Sequence, residues 1–172
     1  MELHFAILTI SDRASRGERT DTSGPALARI VSERGWQVTR QALVPDDFSL
    51  IRDTLEAWAD HAEAGSSAVD VILTTGGTGF SPRDVTPEAT QAVIERPAPG
   101  LAEAMRAVSL QVTAHAMLSR AVAGIRRNTL IVNLPGSPKA AAENLEVILP
   151  VLPHAVQLIR QDPDSETGHS IS

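Results

Sequence analysis

Thr74-Thr75-Gly76-Gly77-Thr78-Gly79 closes an apolar run and leads into Ser81-Pro82-Arg83-Asp84-Val85-Thr86-Pro87. A strand that breaks into glycines and restarts as a Pro-led helix leaves backbone N–H groups uncovered by side chains. That arrangement suits a phosphate. Taken alone the glycine run is a weak signal, since many such turns are only tight corners. It matches neither familiar phosphate fingerprint, because no Gly-Lys-Ser/Thr follows and the G-x-G-x-x-G spacing is absent.

Outward from this stretch, apolar strand patterns alternate with amphipathic ones. Leu3 to Ile10, Trp36 to Val44, Val69 to Thr74 and Thr129 to Val132 read as strands. Ser23-Gly24-Pro25 offers a cap and an early proline to a helix bearing Leu27, Ile30 and Val31, with Gly35 as its stop. Ile51, Leu55, Trp58 and Ala62 recur at helical spacing before a Gly65-Ser66-Ser67 loop. Arg13 to Thr22 reads as a charged loop. Thr86 reads as a cap, with Ala89, Val93 and Ile94 on the helix that follows. Pro97 to Gly100 separates that helix from one carrying Leu101, Met105 and Val108. Leu118 to Ile125 fits no single pattern. Ser137-Pro138 repeats the cap-plus-proline device, and Pro150 and Pro153 interrupt the helix it opens before a last segment, Val156 to Gln161.

This alternation predicts an α/β fold: one three-layer α/β/α domain over residues 1–161, with a mostly parallel sheet and a flexible tail over 162–172. Its 172 residues suffice for one buried core, and only 3% aromatic residues means that Val, Leu, Ile and Ala must fill it. The ends at Ser11-Asp12, Asp46, Gly76 and Asn133 should then share one edge of the sheet, where ligands of open α/β folds bind.

Composition narrows the function. A formal net charge of -6 argues against nucleic acid and anionic membranes as general partners, so an anionic ligand must be held locally. The absence of cysteine excludes disulfides and thiolate chemistry. A cytoplasmic location is expected from the lack of a signal-peptide pattern or a membrane-spanning run. His4, His61, His115, His154 and His169 show no metal-ligand spacing, and no G-x-S-x-G elbow accompanies the loop serines.

Each candidate has a plain alternative. Asp84 could be a helix-start carboxylate and Asp46, beside Asp47, a solvated turn residue. Asn133-Leu134-Pro135-Gly136-Ser137-Pro138, with Lys139 nearby, is either an ordinary turn or a second anion site. Convergence favours function: two carboxylates and a glycine cradle at neighbouring strand ends suit a nucleotide bound through Mg2+, without which the aspartates would repel a polyphosphate.

Thr74 to Gly79, Pro82 to Ala89 and Asn133 to Ala140, with Ser11-Asp12-Arg13, Asp21-Thr22-Ser23-Gly24, Pro45-Asp46 and Leu118-Ser119-Arg120, closely resemble the Mog and MoaB family of molybdenum cofactor biosynthesis. The resemblance implies a molybdopterin adenylyltransferase with ATP and molybdopterin as substrates. It implies that Asp46 and Asp84 position Mg2+ and that Gly76, Gly77 and Gly79 cradle phosphates, helped by the hydroxyls of Thr75, Thr78 and Ser81. Asn133, Pro135, Gly136, Ser137 and Lys139 would meet the second end of the ligand, and Ser11 and Asp12 would support the first strand end. It further implies a homotrimer, hexameric in some members, and a separate molybdate-inserting protein as partner. The short end after Pro150 is similar to the compact MoaB form, but the Pro-Asp and Arg-Asp-Val-Thr-Pro stretches favour an active enzyme. The alternatives are a non-catalytic molybdopterin-binding protein of the same fold, and a nucleotide hydrolase that needs no pterin acceptor.

Overall fold

A computed structural model describes residues 1–60 and 68–161. The readings at Ala62 and Gly65-Ser66-Ser67, and that of a tail from 162, lie outside the described residues. Six strands form one sheet in the order β2-β1-β3-β6-β5-β4. They are β1 (His4–Ile10), β2 (Gln37–Val44), β3 (Val71–Thr75), β4 (Arg96–Pro97), β5 (Ala123–Arg126) and β6 (Thr129–Leu134). The pairings β1 with β2, β1 with β3, and β3 with β6 are parallel, and β5 and β4 extend the sheet antiparallel.

The helices are α1 (Asp12–Ser15), α2 (Ser23–Glu33), α3 (Phe48–Asp60), α4 (Thr86–Val93), α5 (Pro99–Leu110), α6 (Pro138–Ile148) and α7 (Leu152–Ile159), with 3-10 turns at Ala114–Leu118 and Leu149–Val151. Strand residues alternate between two cores, as a period of two requires. Phe5, Ile7, Val71, Leu73, Leu130 and Val132 face α2, α5, α6 and α7 through Leu27, Met105, Leu145 and Val156. Ala6, Leu8, Ile72 and Ile131 face α3 and α4 through Ile51, Leu55, Ala89 and Val93. The result is the expected three-layer α/β/α arrangement.

Several local readings change. Arg13 to Thr22 is not all loop, because Ser11 Oγ accepts from the Ala14 amide at 3.2 Å and starts a helical turn. Ser23 is the first residue of α2 and not its cap: Thr22 holds that position with no side-chain bond, and Asp21 before it satisfies the helix start, its Oδ1 accepting from the Ser23 and Gly24 amides at 3.0 and 3.1 Å. Thr86 is not a cap but the first residue of α4, and its hydroxyl donates to the Gly76 carbonyl at 2.9 Å. The separator at Pro97 carries the tail of β4, while Pro99 opens α5. The stretch Leu118 to Ile125 runs from the last residue of a 3-10 turn through an irregular segment into β5, which hairpins into β6 through Arg127-Asn128. Ala-Gly-Ile-Arg has too little β-branched character to announce a strand; pairing with β6 decides it.

Candidate active site

The carboxyl ends of β1, β2, β3 and β6 lie side by side, as the parallel order dictates. They surround a cavity of about 380 Å3 whose lining includes Ser11, Asp46, Thr75, Gly76, Gly77, Asp84, Gly136 and Ser137. Eight of the sequence candidates are therefore brought together. Thr78, Gly79 and Pro135 line a second cavity of about 310 Å3 on the other side of the glycine loop.

The glycines are required by geometry. Gly76 has φ +105° and Gly77 φ +65°. A Cβ on Gly76 would stand 2.1 Å from the Ile10 carbonyl oxygen. On Gly77 it would meet Thr86 Oγ1 at 2.3 Å and Asp46 Oδ1 at 3.0 Å, and on Gly79 it would meet Asp84 Oδ2 at 2.9 Å. The two carboxylates thus lean on the glycine loop from either end. The amides of Gly77, Thr78 and Gly79 donate to no protein acceptor among the described residues, so the loop offers a row of free N–H groups between two aspartates.

Asp46 is fixed by reciprocal bonds. The Asp12 amide donates to Asp46 Oδ2 at 2.9 Å and the Asp46 amide to Asp12 Oδ1 at 3.0 Å. Arg83 grips Asp12 with two bonds of 2.9 Å. Its guanidinium holds the Asp12 carboxyl below the usual carboxylate range. Asp46 is shifted the other way, raised chiefly by burial and further by the negative charges of Asp12 and Asp84. Asp84 Oδ2 accepts from the Ser81 amide at 2.9 Å.

Other candidates do other work. Ser81 is exposed, its Oγ accepting from the Arg83 amide at 3.3 Å. Asn133 is fully buried and faces inward. Its Nδ2 donates to Thr74 Oγ1 at 3.0 Å and Thr90 Oγ1 at 2.9 Å, and its Oδ1 accepts from the Val122 amide at 3.2 Å. Lys139 lines neither cavity; its side chain is 82% exposed and stands 3.8 Å from Glu143. Ser137 caps α6 through the Ala140 amide, as expected.

Sequence reading assigned no site role to Arg19, Thr20 or Asp21, which also line the first cavity. Ser23 lines it as well and donates to the Gly136 carbonyl at 2.8 Å, closing the back wall. The signal for Asp21 was its place two residues ahead of Ser23-Gly24-Pro25, an Asx cap that reading Ser23 as the cap concealed. The second cavity is lined by Val112, Ala116, Leu118 and Ala140, with the hydroxyls of Ser109, Thr113 and Ser119 among them. Nothing in the periodicity marked it, because its walls come from α5, the 3-10 turn, the loop after β6 and α6.

No group of three or more His, Cys, Asp or Glu able to hold a metal occurs among the described residues. Two carboxylates beside free amides do fit a cation that takes its remaining oxygens from a substrate polyphosphate and water.

The profile of a family described as a probable molybdopterin binding domain matches residues 6–154. The chain belongs to this molybdenum cofactor biosynthesis family. Among similar members of the family, gephyrin of Dictyostelium discoideum is 44% identical over 174 residues, covering 95% of this chain and 23% of gephyrin. Cinnamon of Drosophila melanogaster is 46% identical over 160 residues, with 92% and 26% covered. The chain thus spans about a quarter of those two relatives. The molybdopterin adenylyltransferase of Helicobacter pylori is 42% identical over 159 residues, covering 91% of this chain and 88% of that protein. The solved structure of the molybdopterin biosynthesis enzyme MoaB from Thermus thermophilus superposes with a TM-score of 0.85 at 50% identity, covering 94% and 98% of the two chains.

Proposed function

We propose that the chain is a molybdopterin adenylyltransferase of molybdenum cofactor biosynthesis, converting ATP and molybdopterin into adenylyl-molybdopterin and pyrophosphate. The observation that carries this reading is the glycine loop with unpartnered amides, flanked by Asp46 on one side and Asp84 on the other. A terminal phosphate oxygen of molybdopterin attacks the α-phosphorus of ATP, the bond from that phosphorus to the bridging oxygen breaks, and pyrophosphate departs with the electron pair. The nucleophile is already anionic near neutral pH, so the task is to align like charges rather than to remove a proton.

Bound Mg2+ would neutralise polyphosphate charge. Asp46 and Asp84 are the residues that would hold it, and both must be ionised to do so. Gly76 and Gly77 let the backbone approach phosphate, and the Gly77 to Gly79 amides donate to its oxygens. Thr75 holds the Pro135 carbonyl at 2.7 Å and so keeps the two strand ends together.

The aspartates and free amides suit the polyphosphate of ATP in the first cavity. The apolar walls and hydroxyls of the second suit a flat pterin, with the attacking phosphate meeting ATP over the glycine loop between them. The MoaB-like assembly would be a homotrimer, checked by sedimentation equilibrium, and an insertase would take the adenylylated product.

Pyrophosphate release from ATP and Mg2+, with and without molybdopterin, tests the reading. Release that requires molybdopterin supports it. Release without the pterin would make the protein a nucleotide hydrolase. Pterin binding without release would make it a non-catalytic molybdopterin-binding protein.

A further inference from the structure

We infer that Arg120 is a positioning residue that fixes Asp84 and the distal half of the glycine loop in their working geometry. The inference rests on the proposed transfer reaction. Arg120 does not line the first cavity, yet its guanidinium reaches three separate points, on the glycine loop, at Asp84 of the cavity lining and on α4. Nε donates to the Gly79 carbonyl at 2.7 Å, Nη2 to the Asp84 carbonyl at 2.6 Å, and Nη1 to Glu88 Oε1 on α4. Its own amide donates to the Thr78 carbonyl at 2.9 Å. One residue therefore holds the chain at Thr78, Gly79 and Asp84.

Apolar packing does not hold this segment. No residue from Gly79 to Asp84 is buried, and Phe80 is 66% exposed. Inside the segment the Ser81 amide donates to Asp84 Oδ2, and the Asp84 amide to the Ser81 carbonyl, both at 2.9 Å. Gly79 lies against the same carboxylate. Moving the Gly79 and Asp84 carbonyls therefore moves the carboxylate. Arg83 ties the segment to Asp12, but through an exposed side chain. The proximal half is pinned differently, since the Thr86 amide donates to the Gly77 carbonyl at 3.1 Å and its hydroxyl to the Gly76 carbonyl.

The two halves predict separable effects: losing Arg120 should disturb alignment around Asp84 while phosphate contacts at Gly76 and Gly77 persist. A guanidinium fork is needed, because a lysine ammonium cannot serve three acceptors in one plane. Glu88, held below the usual range by Arg120, anchors the fork to α4. Arg120 also follows Leu118 and Ser119 of the second cavity, and Arg106 grips the Ser119 and Ala121 carbonyls at 3.2 and 3.0 Å on either side. The strut thus rises from the wall of one cavity to the catalytic loop of the other.

Full-length Arg120→Gln and Arg120→Lys variants test this by backbone amide exchange, thermal unfolding and steady-state pyrophosphate release. We expect the Ser81 and Asp84 amides to exchange at least about tenfold faster, with Leu73 in β3 unchanged. We expect kcat to fall about a hundredfold, as misplacement of a reacting group by about 1 Å would cause, with KM for ATP raised less than about fivefold. Lysine should not rescue. Unchanged exchange at Ser81 and Asp84, kcat within about twofold of wild type, or a loss of activity matching only a loss of folded protein would each overturn the role. If the wild-type protein releases no pyrophosphate with molybdopterin, the transfer reaction fails instead, and amide exchange still decides whether Arg120 holds the loop.

Discussion

Two segments close neighbouring parallel strands at the same sheet edge: Gly76 to Asp84 after β3, and Asn133 to Pro138, the last residues of β6 with the turn that follows. In sequence they look like a pair, each a polar or glycine break followed by a proline-led helix. In the structure both reach the cavity, the second through Gly136 and Ser137, but only the first brings a carboxylate to it. The second turns its principal polar side chain, Asn133, into the interior, where it satisfies Thr74, Thr90 and the Val122 amide, and its Gly136 backs directly onto Gly76. A Cβ on Gly136 would meet the Gly76 Cα at 3.2 Å. Both turns border the cavity, and the second also braces the first from behind.

The contrast predicts that a variant of the cavity-facing Asp84 strikes turnover and one of the inward-facing Asn133 strikes stability. Asp84→Asn should reduce pyrophosphate release by about two to three orders of magnitude, the scale of losing one preorganised electrostatic contact. Its unfolding midpoint should stay near wild type, since an amide oxygen can still accept from Ser81. Retained turnover would dissolve the distinction between the turns.

Gly76→Ala breaches it from the other side. A methyl 2.1 Å from the Ile10 carbonyl, at φ +105°, should cost about 3 kcal/mol and activity together. Denaturant unfolding measures the first and a release assay the second. Asn133→Ala should cost about 2–3 kcal/mol, because it strands a half-buried amide and two buried hydroxyls, while turnover per folded molecule stays within about threefold.

The carboxylates sharpen the comparison through pH. Asp46 has a raised proton affinity in the fold, so its ionisation there opposes folding: the cost appears as pH rises past the unfolded value and is complete above the folded one. Asp46→Asn should therefore raise the unfolding midpoint at pH 7, with the gain shrinking as pH falls through the raised folded value and gone below the ordinary aspartate range. Turnover of the wild type should fall on acidification at a higher pH than an unperturbed aspartate would give, read from a kcat/KM profile. Asp12 runs opposite; its Arg83-stabilised ionisation adds stability above the unfolded value that is lost as pH falls through its lowered one. The smallest effect belongs to Lys139→Ala. Exposed and paired to Glu143, it should change stability by less than about 0.5 kcal/mol and leave turnover within about twofold.

The strand-helix alternation, the glycine cradle and the pairing of Asp46 with Asp84 were legible in the chain itself. Each depends on local rules: hydrophobic period, the positive φ only glycine accepts cheaply, and turn residues at parallel strand ends that must share an edge. Asn133 and Lys139 were misplaced because a turn motif does not say which way a side chain points; that depends on β5 crossing beside β6 and on the course of α6. Asp21, the second cavity and Arg120 were invisible as a site for the same reason. Arg120 meets Gly79, Asp84 and Glu88 across separations of 41, 36 and 32 residues. Sequence determined which elements form and what chemistry lies at their ends, since those choices are local. Only the tertiary structure decided which polar groups face the cavity and which brace the protein, because that depends on burial and on partners far away in the chain.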